Sequence, residues 1–217
     1  MDIQERLTAF ALLGATWVMW LLVVLSIFSV AIILERVYFF IATRDDIAAL
    51  RERLIAALDR GDTEKASKQL AESKSIEAMV ARAGLAAADH GAESAQEKMQ
   101  GEQHLARLLM EKNLAFLGTV GNNAPFVGLL GTVIGIIRAF HSLNESQGKV
   151  TASLMADVGE ALVATAIGIL VALPAVASFN FFQRIIKGRL ARGATLGSDV
   201  ISHLVSKRQS QQPQAAE

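Results

Sequence analysis

Two hydroxyls and one carboxylate stand in or beside long apolar runs: Thr132, six residues before Arg138, and Thr165, five residues after Glu160. A second polar tier, Asn122 and Asn123 with Ser178 and Asn180, marks the other end of the same two runs. In hydrocarbon such side chains face protein or a water-filled cavity rather than lipid, so the chemistry open to them is that of an ion pathway. Glu160 carries two readings, a boundary charge at the membrane edge or a group that admits an ion beside a strip of small residues. Covalent chemistry finds no support. No nucleophile stands with a base, cysteine is absent, and the histidines His90, His104, His141 and His203 are scattered singly. There is no glycine-rich phosphate loop and no basic stripe interleaved with aromatics. The expectation is therefore no catalytic residue, metal, cofactor or nucleic acid.

The elements that must hold these groups are membrane helices. The chain is 52% hydrophobic with formal net charge zero, its mean hydropathy is +0.37, and its apolar residues are clustered. No charge falls between Arg6 and Glu35, between Lys112 and Arg138, or between Glu160 and Arg184. Each run meets the roughly 20 apolar residues that a helix needs to cross a bilayer. The start MDIQER and the length of the first run point to a retained anchor rather than a cleaved signal. Trp17 and Trp20 at one end of that run, with Tyr38, Phe39 and Phe40 at the other, read either as interfacial anchors or as lipid-facing and packed aromatics. Glu35 and Arg36 read as a boundary pair.

Basic residues orient the spans. Arg36, Arg44, Arg51 and Arg53 follow the first and Arg184, Lys187, Arg189 and Arg192 follow the third, whereas only Arg138 and Lys149 lie between the second and third. Basic flanks stay cytoplasmic. The expected layout is a short periplasmic N-terminus (1–12), transmembrane helix 1 (13–40), a cytoplasmic helical domain (41–112), transmembrane helix 2 (113–140), a periplasmic connection (141–157), transmembrane helix 3 (158–183), and a cytoplasmic C-terminal helix with a disordered tail (184–217). The fold class is an all-α membrane protein whose long helices extend into a cytoplasmic helical domain.

Helical rise, about 1.5 Å per residue, puts Thr132 and Thr165 at one level, roughly 8 to 9 Å inward of the outer charges. Asn122, Asn123, Ser178 and Asn180 lie about 24 to 30 Å from those markers. Between the tiers the side chains are dry, Phe126, Leu129 and Leu130 on one helix and Ile169, Leu170 and Leu173 on the other. Gly121, Gly128 and Gly135 recur every seven residues, Gly131 adds a GxxxG with Gly135, and Thr165, Gly168 and Ala172 make a matching strip. Such strips let membrane helices approach closely, as ordinary helix packing or as part of a pathway. Pro125 and Pro174 would free the carbonyls of Gly121 and Leu170 and kink the helices.

In the 41–112 region Ile47, Leu50, Leu54, Ile55 and Leu58 form an amphipathic stripe, Gly61 is placed to stop that helix, and Asp62 to cap the next. A third helix is expected around SIEAMVARAGLAAA. From Glu93 onward no proline intervenes before Pro125, so one long helix is expected to run from the cytoplasm straight into the second span.

NNAPFVGLLGTVIGIIRAF followed by GEALVATAIGILVALPAVASFN resembles the paired signature of the MotA/TolQ/ExbB proton-channel family, and ILER at the end of the first span is similar to its ExbB/TolQ branch. The resemblance covers residues from about 15 to 190. It implies a homopentamer in the bacterial inner membrane, N-terminus periplasmic and C-terminus cytoplasmic. Its second and third spans would surround two single-span ExbD/TolR-like helices carrying a membrane aspartate. The proton motive force would turn that pair and drive a TonB/TolA-like or gliding-complex protein, as in energised protein transport. Thr132, Thr165 and Glu160 fall on the family's polar pore positions, with Asn122 and Ser178 as further pathway candidates. Glu160 and Thr165 lie about 140° apart on an ideal helix, which favours Thr165 as the residue facing the axis. The short N-terminal segment departs from the long extension of some ExbB proteins, and the large insert of flagellar MotA is lacking; TolQ-like, short ExbB-like and gliding-motor relatives stay open. The competing reading is a non-conducting helical membrane scaffold.

Overall fold

A computed structural model describes residues 14–147 and 149–211. The expected N-terminal segment 1–12 and the last residues of the expected tail lie outside them. The described residues are helical, with no strand among them: α1 Thr16–Ala42, α2 Ile47–Asp59, α3 Thr63–Glu72, α4 Ile76–Ala86, a 3-10 turn at Ala88–His90, α5 Ala92–Glu111, α6 Leu114–Glu145 and α7 Ala152–Gln211. The helices containing α1, α6 and α7 are long and apolar enough to cross a membrane. Much of the 141–157 connection is itself helical, because α6 continues to Glu145 and α7 starts at Ala152.

Two units emerge. The first takes described residues 14–35 and Asn113–Phe181. Its core is small and aliphatic: Ala15, Val18 and Leu22 of the α1 region against Val120, Ala124 and Ile134 of α6 and Val171, Ala172 and Ala175 of α7. Phe28 meets Phe116 edge-on at 6.4 Å. The most apolar windows of the three long helices are only 17%, 28% and 28% buried, so most of their apolar surface is left for lipid or another chain.

The second unit takes Arg36–Lys112 and the chain from Phe182 onward. Here the core is leucine-rich: Leu50, Leu54, Leu58, Leu70, Leu85 and Leu196 are all nearly or fully buried. Local signals agree with the packing. Asp46, Asp62 and Ser75 cap α2, α3 and α4 through their side-chain oxygens, accepting from the N–H groups of Ala49, Lys65 and Ala78. Gly61, at φ +72°, ends the first of these turns. Arg51 grips Asp199 through two hydrogen bonds of 2.7 and 2.9 Å, which fastens α2 to the C-terminal part of α7.

The single long helix expected from Glu93 into the second span is not formed. α5 stops at Glu111, Lys112 is extended (φ −50°, ψ 130°), and Asn113 takes φ +63°. Asparagine tolerates this left-handed region better than most residues. The terminal carbonyls that the break leaves without helical donors are met in part by Arg36, 2% exposed. Its guanidinium donates to the Leu109 oxygen at 3.0 Å and the Met110 oxygen at 3.4 Å. Arg189 does the same for the end of α1, donating to the carbonyls of Phe40 (2.6 Å) and Thr43 (3.2 Å) and to the Thr43 hydroxyl. Phe40, an anchor candidate in the sequence, is buried against Phe182 at 5.5 Å, whereas Tyr38 is exposed.

Candidate functional site

Pro125 and Pro174 both sit inside unbroken helices, a tolerance membrane helices have because neighbours can satisfy the freed carbonyls. The glycines then decide how close α6 and α7 come. A methyl carbon at Gly128 would lie 2.8 Å from the Ala164 carbonyl oxygen and 3.2 Å from the Gly168 Cα. One at Gly168 would lie 2.7 Å from the Ala124 carbonyl oxygen and 3.0 Å from the Gly128 Cα. The two backbones therefore touch at Gly128 and Gly168. Toward one end Gly131 faces the Ala164 methyl and Gly135 the Ala161 methyl; toward the other, Gly121 faces Val176.

Thr165 sits at this crossing. Its hydroxyl donates to the Gly128 carbonyl at 3.2 Å, an oxygen that in an α-helix also accepts the N–H of Thr132. The two threonines thus meet through one peptide oxygen. The Thr132 hydroxyl donates to the Leu129 carbonyl at 2.7 Å. Each hydroxyl keeps lone pairs that can accept from water or a protonated acid. Asn122 is exposed, Ser178 half-buried, and they share a tier because Gly121 and Gly118 face Val176 and Phe179. Asn123 turns its amide back onto the Thr119 carbonyl.

At the other end Glu160 is drawn away from this crossing: its carboxylate accepts the Thr16 hydroxyl of α1 at 2.9 Å. Asp157, one turn earlier and 9% exposed, pairs with Arg138 at 3.3 Å and accepts the Ser142 hydroxyl at 3.1 Å. In the sequence Asp157 stands only as the acid three residues before Glu160, and nothing there gives Thr16 a part. Opposite charges at facing ends of two antiparallel helices joined by a short connection were the available signal for Arg138 and Asp157; nothing local marks Thr16.

The glycine contacts between α6 and α7 fall within the segment that comparison with known families recognises. The family described as MotA/TolQ/ExbB proton channel matches residues 72–193, more than half of the chain. The chain belongs to this family. Among similar proteins, the biopolymer transport protein ExbB of Xanthomonas campestris pv. campestris (strain B100) is 42% identical over 91 residues, 42% of this chain and 36% of that protein. The Tol-Pal system protein TolQ of Pseudomonas aeruginosa is 46% identical over 74 residues, 34% of this chain and 32% of its own length. ExbB of Aquifex aeolicus is 39% identical over 98 residues, 45% of this chain and 63% of that one. The matched part of the chain spans about a third of the first two relatives and under two thirds of the last. Relatives named ExbB and TolQ place the chain in that branch of the MotA/TolQ/ExbB proton-channel family.

Proposed function

We propose that the protein is the pore-forming stator subunit of an inner-membrane motor driven by the proton motive force. Copies of the chain, five by family resemblance, would form a ring around two helices of an ExbD/TolR-like partner, with N-termini periplasmic and C-termini cytoplasmic. The observation that carries this reading is the backbone crossing at Gly128 and Gly168, where the Thr165 hydroxyl donates to the Gly128 carbonyl and the Thr132 hydroxyl to the neighbouring Leu129 carbonyl in an otherwise dry stretch. The helix pair is fixed as one wall, and its neighbours Phe126 (68% exposed) and Leu170 (69% exposed) are left uncovered for adjoining helices. The wall has hydroxyls and no acid at that level, so the titrating group is the partner's aspartate. Energy then passes to a TonB/TolA-like or gliding-complex protein.

Coexpression with the single-span partner and a proton-flux assay in vesicles tests this. Flux that disappears when the partner's membrane aspartate becomes asparagine supports the motor reading. An assembled complex that never conducts would leave the non-conducting scaffold, in which the glycines only pack helices.

A further inference from the structure

The second unit holds a cavity of about 790 Å³ just beyond the end of α1. Three arginines and three acids line it: Arg44, Arg189 and Arg192 with Asp45, Asp46 and Glu77. Several of these charges are already committed. Arg189 is spent on the Phe40 and Thr43 oxygens. Glu77, 2% exposed, takes the Arg192 Nε at 3.1 Å. Asp45 accepts the Ser73 hydroxyl and the Asp46 N–H. What remains is divided by sign. The Arg44 guanidinium has no hydrogen bond or ion pair with the described residues, and the terminal nitrogens of Arg192 are uncommitted. On the acidic side Asp46 uses one oxygen to cap α2 at Ala49, and its other oxygen is open. Burial pushes the Arg189 guanidinium below its usual range, and the nearby Arg192 and Arg44 charges add to that against Glu77. The arginine side is thus crowded with like charge.

A cavity neutral overall, with spare donors on Arg44 and Arg192 and a spare carboxylate oxygen on Asp46, matches a zwitterion better than a simple anion. We propose that it binds a phosphoethanolamine headgroup, the phosphodiester on Arg44 and Arg192 and the ammonium on Asp46 with Asp45 beside it. The inference rests on α1 and α7 crossing a membrane, which brings phospholipid to a cavity whose lining begins at Thr43, the residue after Ala42; proton conduction is not required.

The test uses the full-length purified chain in detergent, titrated with phosphatidylethanolamine, phosphatidylcholine and phosphatidylglycerol. Parallel titrations use glycerophosphoethanolamine and inorganic phosphate, all read by native mass spectrometry. Phosphatidylethanolamine should bind about tenfold more tightly than the other two lipids, the worth of one hydrogen bond to a charged group. Choline cannot donate that bond and glycerol carries no cation. Asp46→Asn keeps a capping oxygen and should erase the preference while α2 stays folded. Arg44→Gln, at an exposed position, should weaken all three lipids. Glycerophosphoethanolamine matching the lipid would make the headgroup alone sufficient, and its failure to bind would make the membrane the source; both keep the assignment. Tighter binding of phosphatidylglycerol or inorganic phosphate, or a preference untouched by both substitutions, would overturn it. A chain that shows the preference yet conducts no protons would sink the motor reading alone.

Discussion

The two units of this chain solve the same packing problem in opposite ways. In the first, where lipid replaces water, helices gain little from hiding apolar side chains, and stability comes from backbone approach at Gly128 and Gly168 and from a hydroxyl on a carbonyl. In the second, leucines leave water for a common core, and charges cap helix ends or meet across them. Small residues therefore matter most in one unit and large ones in the other, although α1 and α7 contribute to both.

The greatest expected effect is at the crossing. Gly128→Leu drives a side chain into the α7 backbone, which cannot move aside as a side chain could, at a cost of about 3 kcal/mol or more; little folded protein should survive detergent extraction. Gly159→Ala, with open space around its Cα, should extract like wild type. Next comes a matched pair of fully buried leucines. Leu54→Ala in the second unit should cost about 2 to 5 kcal/mol in chemical denaturation, from transfer and cavity together. Leu22→Ala in the first should cost less, because truncation in lipid loses packing without a water-transfer penalty. Equal losses at the two sites would erase the distinction.

Arg189→Lys ranks third. A lysine keeps the charge but not the planar fork that serves Phe40 and Thr43, so thermal unfolding should report a loss of about 1 to 3 kcal/mol. The smallest effect concerns pH. The Ser73 hydroxyl, then the Asp46 N–H, and to a lesser degree Arg53 hold the Asp45 carboxyl below its usual range, against slight burial. A depressed folded value adds stability at neutral pH that is lost as pH falls through it. The melting-temperature gap between wild type and Asp45→Asn should therefore be small at neutral pH and close in acid.

Much of this was legible in the residues. Charge-free runs give the three long helices, and the caps at Asp62 and the stop at Gly61 follow from side-chain chemistry that acts within one turn. The crossing at Gly128 and Gly168 is foreshadowed by the glycine period, since small residues act by what they leave out. The break at Asn113 was not legible, because nothing in its neighbours forbids a helix and the compensating donor, Arg36, lies far away in sequence. For the same reason Thr16 was missed as the partner of Glu160: helical spacing can say that Glu160 and Thr165 point apart, but not what Glu160 turns toward.

The most direct test of the central claim is proton flux through vesicles holding the chain and its single-span partner, with Thr165→Val compared with wild type at equal assembled protein. Valine keeps nearly the shape and removes the hydroxyl at the Gly128 carbonyl. The expected result is an assembled complex whose partner-dependent flux is lost; undiminished flux in that variant would contradict the pathway assigned to this helix pair.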